Sequence, residues 1–400
     1  MNILSQNLHF SKFFFNLGCK FSKPQTNHLL SFADGLLNCD KRRNLSNILE
    51  HSFSSRDRSS FTKFLLYSPW KKEELRIKRK SFALKELEKV ASKNPIFYSI
   101  DDTLVVKHVK SKNIEGLMFN HSHVSNKREW SHCLVSLHGS SNGLSLPLDF
   151  KTYLNKESCA QQNRVFKGKG ELAIDMLEGI QSQLHRKCYI LADSWYTSAD
   201  FINKSQKLGF QVIGALKSNR IFYPKGIRNK LNEFSKELKE KDLSLVTANG
   251  RKHYVYRYEG HIKDIENAVI LISWIDEFDS TKKPFYIITT DTSLSAKQVL
   301  EHYKNRWEIE TSFRYQKDRL GLDQCEMRKL NGIEKFWELL YLVYNYIELR
   351  RFKEIVLMNL GELIEKCKAM RKKDIISFIY NGAMSGISKE ELLNVLKVPL

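Results

Sequence analysis

The 400-residue chain has no run of about 18 apolar residues, so no membrane-spanning helix is expected. Its first residues, MNILSQNLHFSKFFFNLGCKF, are apolar only in patches and lack the continuous core of a signal peptide. The seven cysteines (19, 39, 133, 159, 188, 325, 367) are odd in number and contain no C-x-x-C pair. That pattern argues against a disulfide framework and a zinc knuckle, and for reduced thiols in a cytosolic setting. His121, His123, His132, Cys133 and His138 cluster in sequence but match no standard zinc spacing. No internal repeat is visible. Acidic side chains are in deficit, with 45 Asp and Glu against 65 Lys and Arg and a net charge of +20. A chain this basic points to a nucleic-acid partner, with an anionic membrane surface as the rival.

What is present is globular. Hydrophobic residues make up 42% and aromatic residues 12%, enough for a large core and two or three domains. Residues 1–92 read as compact basic helices, with six Lys and Arg in KKEELRIKRK at 71–80. They form a candidate helical DNA-binding domain. From residue 93 to 330 the pattern is mixed α/β. PIFYSIDDTLVV reads as a strand carrying two aspartates, and HCLVSLHGSSNGLSLPLDFKTYL as two strands joined at Ser-Asn-Gly. ELAIDMLEGIQSQL reads as a helix, CYILADSWY as a buried strand ending at Asp193, and SADFINKSQKLG as a helix closing at Gly209. A β-rich insertion is expected at about 217–292. Residues 331–400 return to helix, with EKFWELLYLVYNYIELRRF expected to be amphipathic.

The stretch YKNRWEIETSFRYQK, 303–317, sets acids among bases and aromatics. Ser293 and Ser295 are candidate N-caps, and neither Pro nor Gly follows until Gly321. On one continuous helix with Tyr303 at 0°, Arg306, Glu310, Arg314 and Lys317 fall within an arc of roughly 80°, and Glu308 falls opposite. A solvated face of i,i+4 ion pairs is the plain reading. The other is a metal-binding carboxylate flanked by groups that hold an anionic polymer. Asp102 (or Asp101), Asp193 and Glu310 then form a three-carboxylate set. Such oxygen ligands suit two Mg²⁺ ions, which activate one oxygen of a phosphodiester displacement and steady the other. Asp149, Asp175 and Glu178 lack the strand-end setting and are read as structural.

Tyr303, Arg306, Glu310 and Lys317 resemble the Y-(2)-R-(3)-E-(6)-K signature of DDE transposases from bacterial insertion sequences. IDDT and LADSWY resemble the two aspartate motifs of that family, and GLL with FTKFLLYSPW its helical DNA-binding region. The resemblance spans most of the chain. It implies a ribonuclease-H-like core with a β-rich insertion, Mg²⁺-dependent cleavage at transposon ends (Mn²⁺ as substitute), and strand transfer into target DNA. It implies a homodimer on DNA, with the C-terminal helices as interface, and a cytoplasmic, nucleoid-associated location. Carried over, Asp102, Asp193 and Glu310 bind metal, while Tyr303, Arg306 and Lys317 contact DNA phosphates. Asp102 is preferred to Asp101 because Thr103 follows it directly. Arg314 shares the helix face, and Lys217 with Arg220 follows a strand end, so these are further candidate DNA contacts. Trp195 and Tyr196 are expected to pack beneath the site, and Trp274 to be core. The rivals are a structure-selective nuclease on the same fold and a catalytically silent DNA-binding repressor.

Overall fold

The computed structural model describes residues 8–52, 57–111, 113–122, 125–180, 186–354 and 358–396. The chain opens on helices: α1 (Leu8–Asn16), α2 (Lys23–Asn38), α3 (Leu45–Glu50), α4 (Arg58–Leu66) and α5 (Lys72–Ala91). Strands β1 (Ile96–Val106), β2 (Met118–Ser122), β3 (Lys127–Ser141) and β4 (Leu144–Tyr153) follow, then α6 (Lys156–Gln161) and α7 (Lys169–Glu178). Next come β5 (Cys188–Ala192), α8 (Ala199–Lys207) and β6 (Gln211–Ala215). The inserted segment holds β7 (Ile221–Phe222), β8 (Asn229–Lys230), α9 (Leu231–Glu237), β9 (Ser244–Ala248), β10 (Arg251–Ile262) and β11 (Ile265–Ile275). It leads into β12 (Phe285–Thr289), and helices α10 (Ala296–Lys304), α11 (Trp307–Asp318), α12 (Leu330–Lys353), α13 (Leu360–Met384) and α14 (Lys389–Leu396) complete the order. The chain divides into two compact units: residues 1–83, 105–132 and 312–400 form the first, and 84–104 with 133–311 form the second. Residues 181–184 of the expected 171–184 helix lie outside the described residues.

The first unit is mostly helical. Its helix starts follow side-chain chemistry. Ser22 and Gln25 form a reciprocal cap at α2 with Pro24 in the first turn, and Asp57 caps α4 through the Ser60 N–H. The α12 helix departs from the expected amphipathic pattern. Nearly every side chain from Leu330 to Leu349 is buried, so it is a central helix, apolar around most of its circumference. The polar exceptions are paired. Glu338 is fully buried and receives both Arg76 and Arg79, and Arg79 also lies 5.1 Å from the Tyr341 ring centroid. Lys72 meets Glu334 in the same way. Three of the six basic residues of 71–80 therefore serve internal ion pairs; sequence charge alone did not separate them from solvent-facing ones.

His132 is also internal to this unit. One ring nitrogen lies 2.8 Å from the Glu115 carbonyl, the other has no hydrogen-bond partner among the described residues, and the ring packs edge-on to Trp337. Burial pushes its pKa down to about 4. The unfolded chain takes up this proton near the ordinary value of about 6.5, before the folded chain does, so the stabilisation is complete above that pH and is lost as pH falls toward 4. We expect thermal unfolding of wild type to lose about 2 kcal/mol more between pH 7 and pH 5 than that of His132→Gln. Parallel slopes for the two proteins would contradict this. His123 lies outside the described residues, and His138 of the second unit is buried 2.7 Å from the Ser145 hydroxyl.

The second unit is built on a mixed sheet with the order β3-β1-β5-β6-β12-β11-β10-β7-β8, in which β4 pairs with β3 and β9 with β10. The β1–β5 and β5–β6 pairs are parallel, whereas β6–β12, β12–β11 and β11–β10 are antiparallel. The β3–β4 hairpin turns at Asn142 and Gly143, both at positive φ, the conformation a tight two-residue turn requires. The inserted strands extend the sheet beyond β12. One sheet face carries Phe97, Tyr189, Leu191, Ile213 and Leu271, covered by Val299 and Leu300 of α10 with Tyr303 packed alongside. The opposite face carries Tyr98, edge-on to Phe210. Because side chains alternate along a strand, odd-numbered residues of β1 and β5 point toward α10 and even-numbered residues point away.

Candidate active site

That alternation decides where the acids go. The parallel register pairs Phe97 with Tyr189 and Ile100 with Ala192. Asp101 and Asp193 each follow that last pair, both with the parity of Phe97 and Leu191 on the α10 face, and the Asp193 charge acts on Asp101. Asp102 has the other parity. Its carboxylate accepts the Tyr196 hydroxyl at 2.9 Å and the Cys133 thiol at 3.3 Å, and it pairs with Lys169 at 2.8 Å. Burial, then the Asp102 charge, pushes the Cys133 thiol up, so the thiol stays protonated and donates.

On the α10 face, one Asp193 oxygen accepts the Trp195 and Tyr196 N–H groups at 2.8 and 3.2 Å. The turn after β5 thus folds back on its own acid. Thr197 ties this turn to β6 through the Ala215 carbonyl at 2.6 Å, and Arg220 reaches the Thr197 carbonyl. Gly214 permits that approach, since a Cβ there would come within 2.3 Å of the Thr197 methyl.

The helical side of the site is two helices, where one was expected. Ser295 caps α10 in a reciprocal box with Gln298. The run then breaks at Asn305 and Arg306. The Asn305 amide takes up the Glu301 and His302 carbonyls, and the N–H groups of Asn305, Arg306, Glu308 and Ile309 bond three residues back instead of four. The break leaves Tyr303 on α10, with its hydroxyl 3.4 Å from the Ala192 carbonyl at the end of β5. Arg306 precedes α11, and its guanidinium spans Asp101, at 3.2 Å, and Glu310 while lying 5.8 Å from the Tyr303 ring centroid. Burial, and then the Asp193 charge, push the Asp101 carboxyl up to about 7, against the Asp102 N–H and Arg306, which pull it down. Burial also raises the Tyr303 phenol to about 12.

The site therefore joins Asp101, Asp193, Tyr303, Arg306 and Glu310. Asp102 stands behind it, on the other face of β1. Lys217 is exposed after β6. Arg314 and Lys317 belong to the first unit; Arg314 lies over the Tyr315 ring, and burial lowers the Lys317 pKa. Trp274 is buried, as expected of core, and donates to the Lys282 carbonyl. Tyr196 is buried as well, but Trp195 is 45% exposed, contrary to the packing role expected for it. Lys169, the partner of Asp102, was not singled out by sequence; its place in KGKG at the start of α7 carried no signal of proximity to β1.

The donor set is wholly oxygen: one carboxylate within β1 and one just past the end of the neighbouring β5, the first pushed up by burial and by its neighbour's charge, with a third carboxylate one guanidinium away. It is the chemistry a hard divalent cation selects. As they stand, no three His, Cys, Asp or Glu side chains among the described residues form a ready metal cluster. At this site Arg306 links the outer two acids.

Residues 16–237 match the family described as DDE superfamily endonuclease. The chain belongs to that superfamily. Residues 167–346 match a second family, the transposase DDE domain. No curated protein matches the chain. The DDE superfamily implies a ribonuclease-H-like core, and the mixed α/β fold with flanking helices agrees with it. Together the two matches support a DDE transposase with a transposase-type function. Among its described residues no helix is long and apolar enough to cross a membrane.

Proposed function

We propose that this DDE protein is the transposase of a bacterial insertion sequence, binding the element's ends, cutting them by two-metal phosphodiester chemistry and transferring the strands to target DNA. The observation that carries this reading is that Asp101 and Asp193 each directly follow the last register pair of two adjacent parallel strands, on the face where Arg306 links Asp101 to Glu310. Asp101, in place of Asp102, takes the first ligand position beside Asp193 and Glu310, because Asp102 is already engaged by Lys169 and Tyr196. Asp101, Asp193 and Glu310 would hold magnesium, which would supply Lewis acidity to the phosphodiester displacement.

The remaining groups orient the polymer. Arg306 offers a planar fork suited to a phosphate, and its hold on Asp101 and Glu310 keeps it beside the scissile position before DNA arrives. Tyr303 anchors α10 to the end of β5. Lys317, Arg314 and Lys217 add phosphate contacts. Residues 1–92 bind the element's ends, 93–330 form the catalytic core with its insertion at about 217–292, and 331–400 serve pairing of two subunits on DNA. The net charge of +20 supports a polyanionic partner in the bacterial cytoplasm, close to the nucleoid.

The test is a supercoiled plasmid carrying the element's own ends. Wild type is expected to release the element and yield joined strands with Mg²⁺ or Mn²⁺, and to leave the plasmid intact in EDTA while still binding the ends. Cutting without joined products would favour a structure-selective nuclease. Binding without cutting in either metal would mark a repressor.

A further inference from the structure

A strip of alternating rings and cations begins at the turn after Asp193 and lies wholly in the second unit. Trp195, two residues beyond the acid and tied to it through its N–H, is 45% exposed. The Lys169 ammonium sits 5.2 Å from the Trp195 ring centroid and 5.7 Å from that of Tyr153. Tyr153 meets Phe166 edge-on at 6.4 Å, and the Lys156 ammonium lies 5.6 Å from the Phe166 ring. Phe166 is 36% exposed and its neighbour Val165 is 85% exposed. Residues 151–169 carry five basic side chains and one acid, Glu157. Of the five, Lys167 is held by Asp175 and Lys169 by Asp102.

Partly exposed rings clustered with exposed apolar neighbours are unfavourable in water unless something covers them. A duplex cannot, because its base faces are already stacked on one another. An unpaired strand can, since every base has a free face for a ring and every linkage a phosphate for a neighbouring cation. We propose that Trp195 and Phe166 are stacking residues for unpaired DNA, and that the strip receives the single strand leading away from the phosphate at Asp193. Lys169 acts as a positioning residue, fixed by Asp102 on one side and by two rings on the other. This rests on the reading of the acids as a DNA-cutting site.

The test uses the full-length protein in EDTA, so that no cutting is needed, with a fluorescent ten-nucleotide single strand and a duplex of the same sequence. Trp195→Ala and Phe166→Ala, made separately, are each expected to weaken single-strand binding about tenfold and to leave duplex binding within about twofold. Trp195→Phe is expected to restore most of the lost affinity. A 2-aminopurine base in the strand is expected to be quenched by wild type and not by Trp195→Ala. Unchanged single-strand affinity in both alanine variants, or equal losses for strand and duplex, would overturn the proposal. Wild-type plasmid cleavage with Mg²⁺ is scored separately. If wild type cuts while these substitutions change nothing, the strip fails alone. If binding depends on Trp195 but wild type never cuts, the cutting reading fails and the strip remains.

Discussion

Asp101→Asn and Glu310→Gln are each expected to slow Mg²⁺-dependent plasmid cleavage by roughly a thousandfold or more, whereas Asp102→Asn slows it by less than about tenfold. The contrast between neighbours comes from strand parity. Asp101 shares a face with Asp193, and its carboxyl is pushed up to about 7, chiefly by burial and next by the Asp193 charge. Replacing it by an amide removes one of the proposed anionic oxygen ligands and relieves that repulsion. Such a variant should therefore bind Mg²⁺ poorly while remaining at least as stable as wild type in EDTA. Asp102→Asn acts in the opposite way. It strips Lys169 of its partner in a half-buried setting and changes what the Tyr196 hydroxyl and the Cys133 thiol can donate to. The expected loss is in stability, on the order of 1–3 kcal/mol, with chemistry largely retained. Single-turnover cleavage and thermal unfolding of the three variants, with end binding as a control, separate the assignments. If Asp102→Asn abolishes cleavage and Asp101→Asn does not, the first ligand is Asp102.

The second large effect concerns Arg306. Its guanidinium lies between Asp101 and Glu310, where it offsets charge that a divalent cation would otherwise neutralise. Arg306→Ala should therefore tighten Mg²⁺ binding to the DNA-free protein, by about tenfold, as the competing cation disappears. The same variant should cut DNA about a hundredfold more slowly, because the proposed forked phosphate contact beside the reacting bond is gone. Arg306→Lys keeps the charge without the fork and should fall between the two in both assays. Calorimetric titration with Mg²⁺ alongside cleavage rates reads both quantities. Metal affinity and cleavage falling together would mean that Arg306 holds the acids in place and does not compete with the cation.

Much of this was legible in the chain itself. The excess of basic residues pointed to a polyanion. Alternation and turn chemistry located β1, the β3–β4 hairpin, β5 and the inserted strands, and the candidate caps Ser293 and Ser295 bracketed the start of α10, which the structure sets at Ser295. The spacing from Tyr303 to Lys317 brought Arg306 and Glu310 together, because an i,i+4 contact survives a break in the helix just upstream. The break itself was not legible. Asn305 has no helix-breaking signature of the strength of Pro or Gly, and only its amide's capture of two carbonyls shortens the turn.

The choice between Asp101 and Asp102 depended on which face of β1 looks toward α10, and the next-neighbour Thr103 does not report that. Parity alone says that adjacent residues point apart; the register against β5 says which one meets Asp193. The fates of Trp195 and Tyr196 diverged for the same reason. Two large aromatics in a row read alike, yet the turn after β5 sends Tyr196 inward to Asp102 and leaves Trp195 in the open. In KKEELRIKRK, Lys72, Arg76 and Arg79 looked like part of a solvent-facing basic run until the acids of α12 met them. Sequence determined the composition, the periodicities and the short-range contacts, because these depend on neighbours in the chain. Tertiary structure decided which face, which partner and which charge is left for a ligand, because those depend on residues tens to hundreds of positions away.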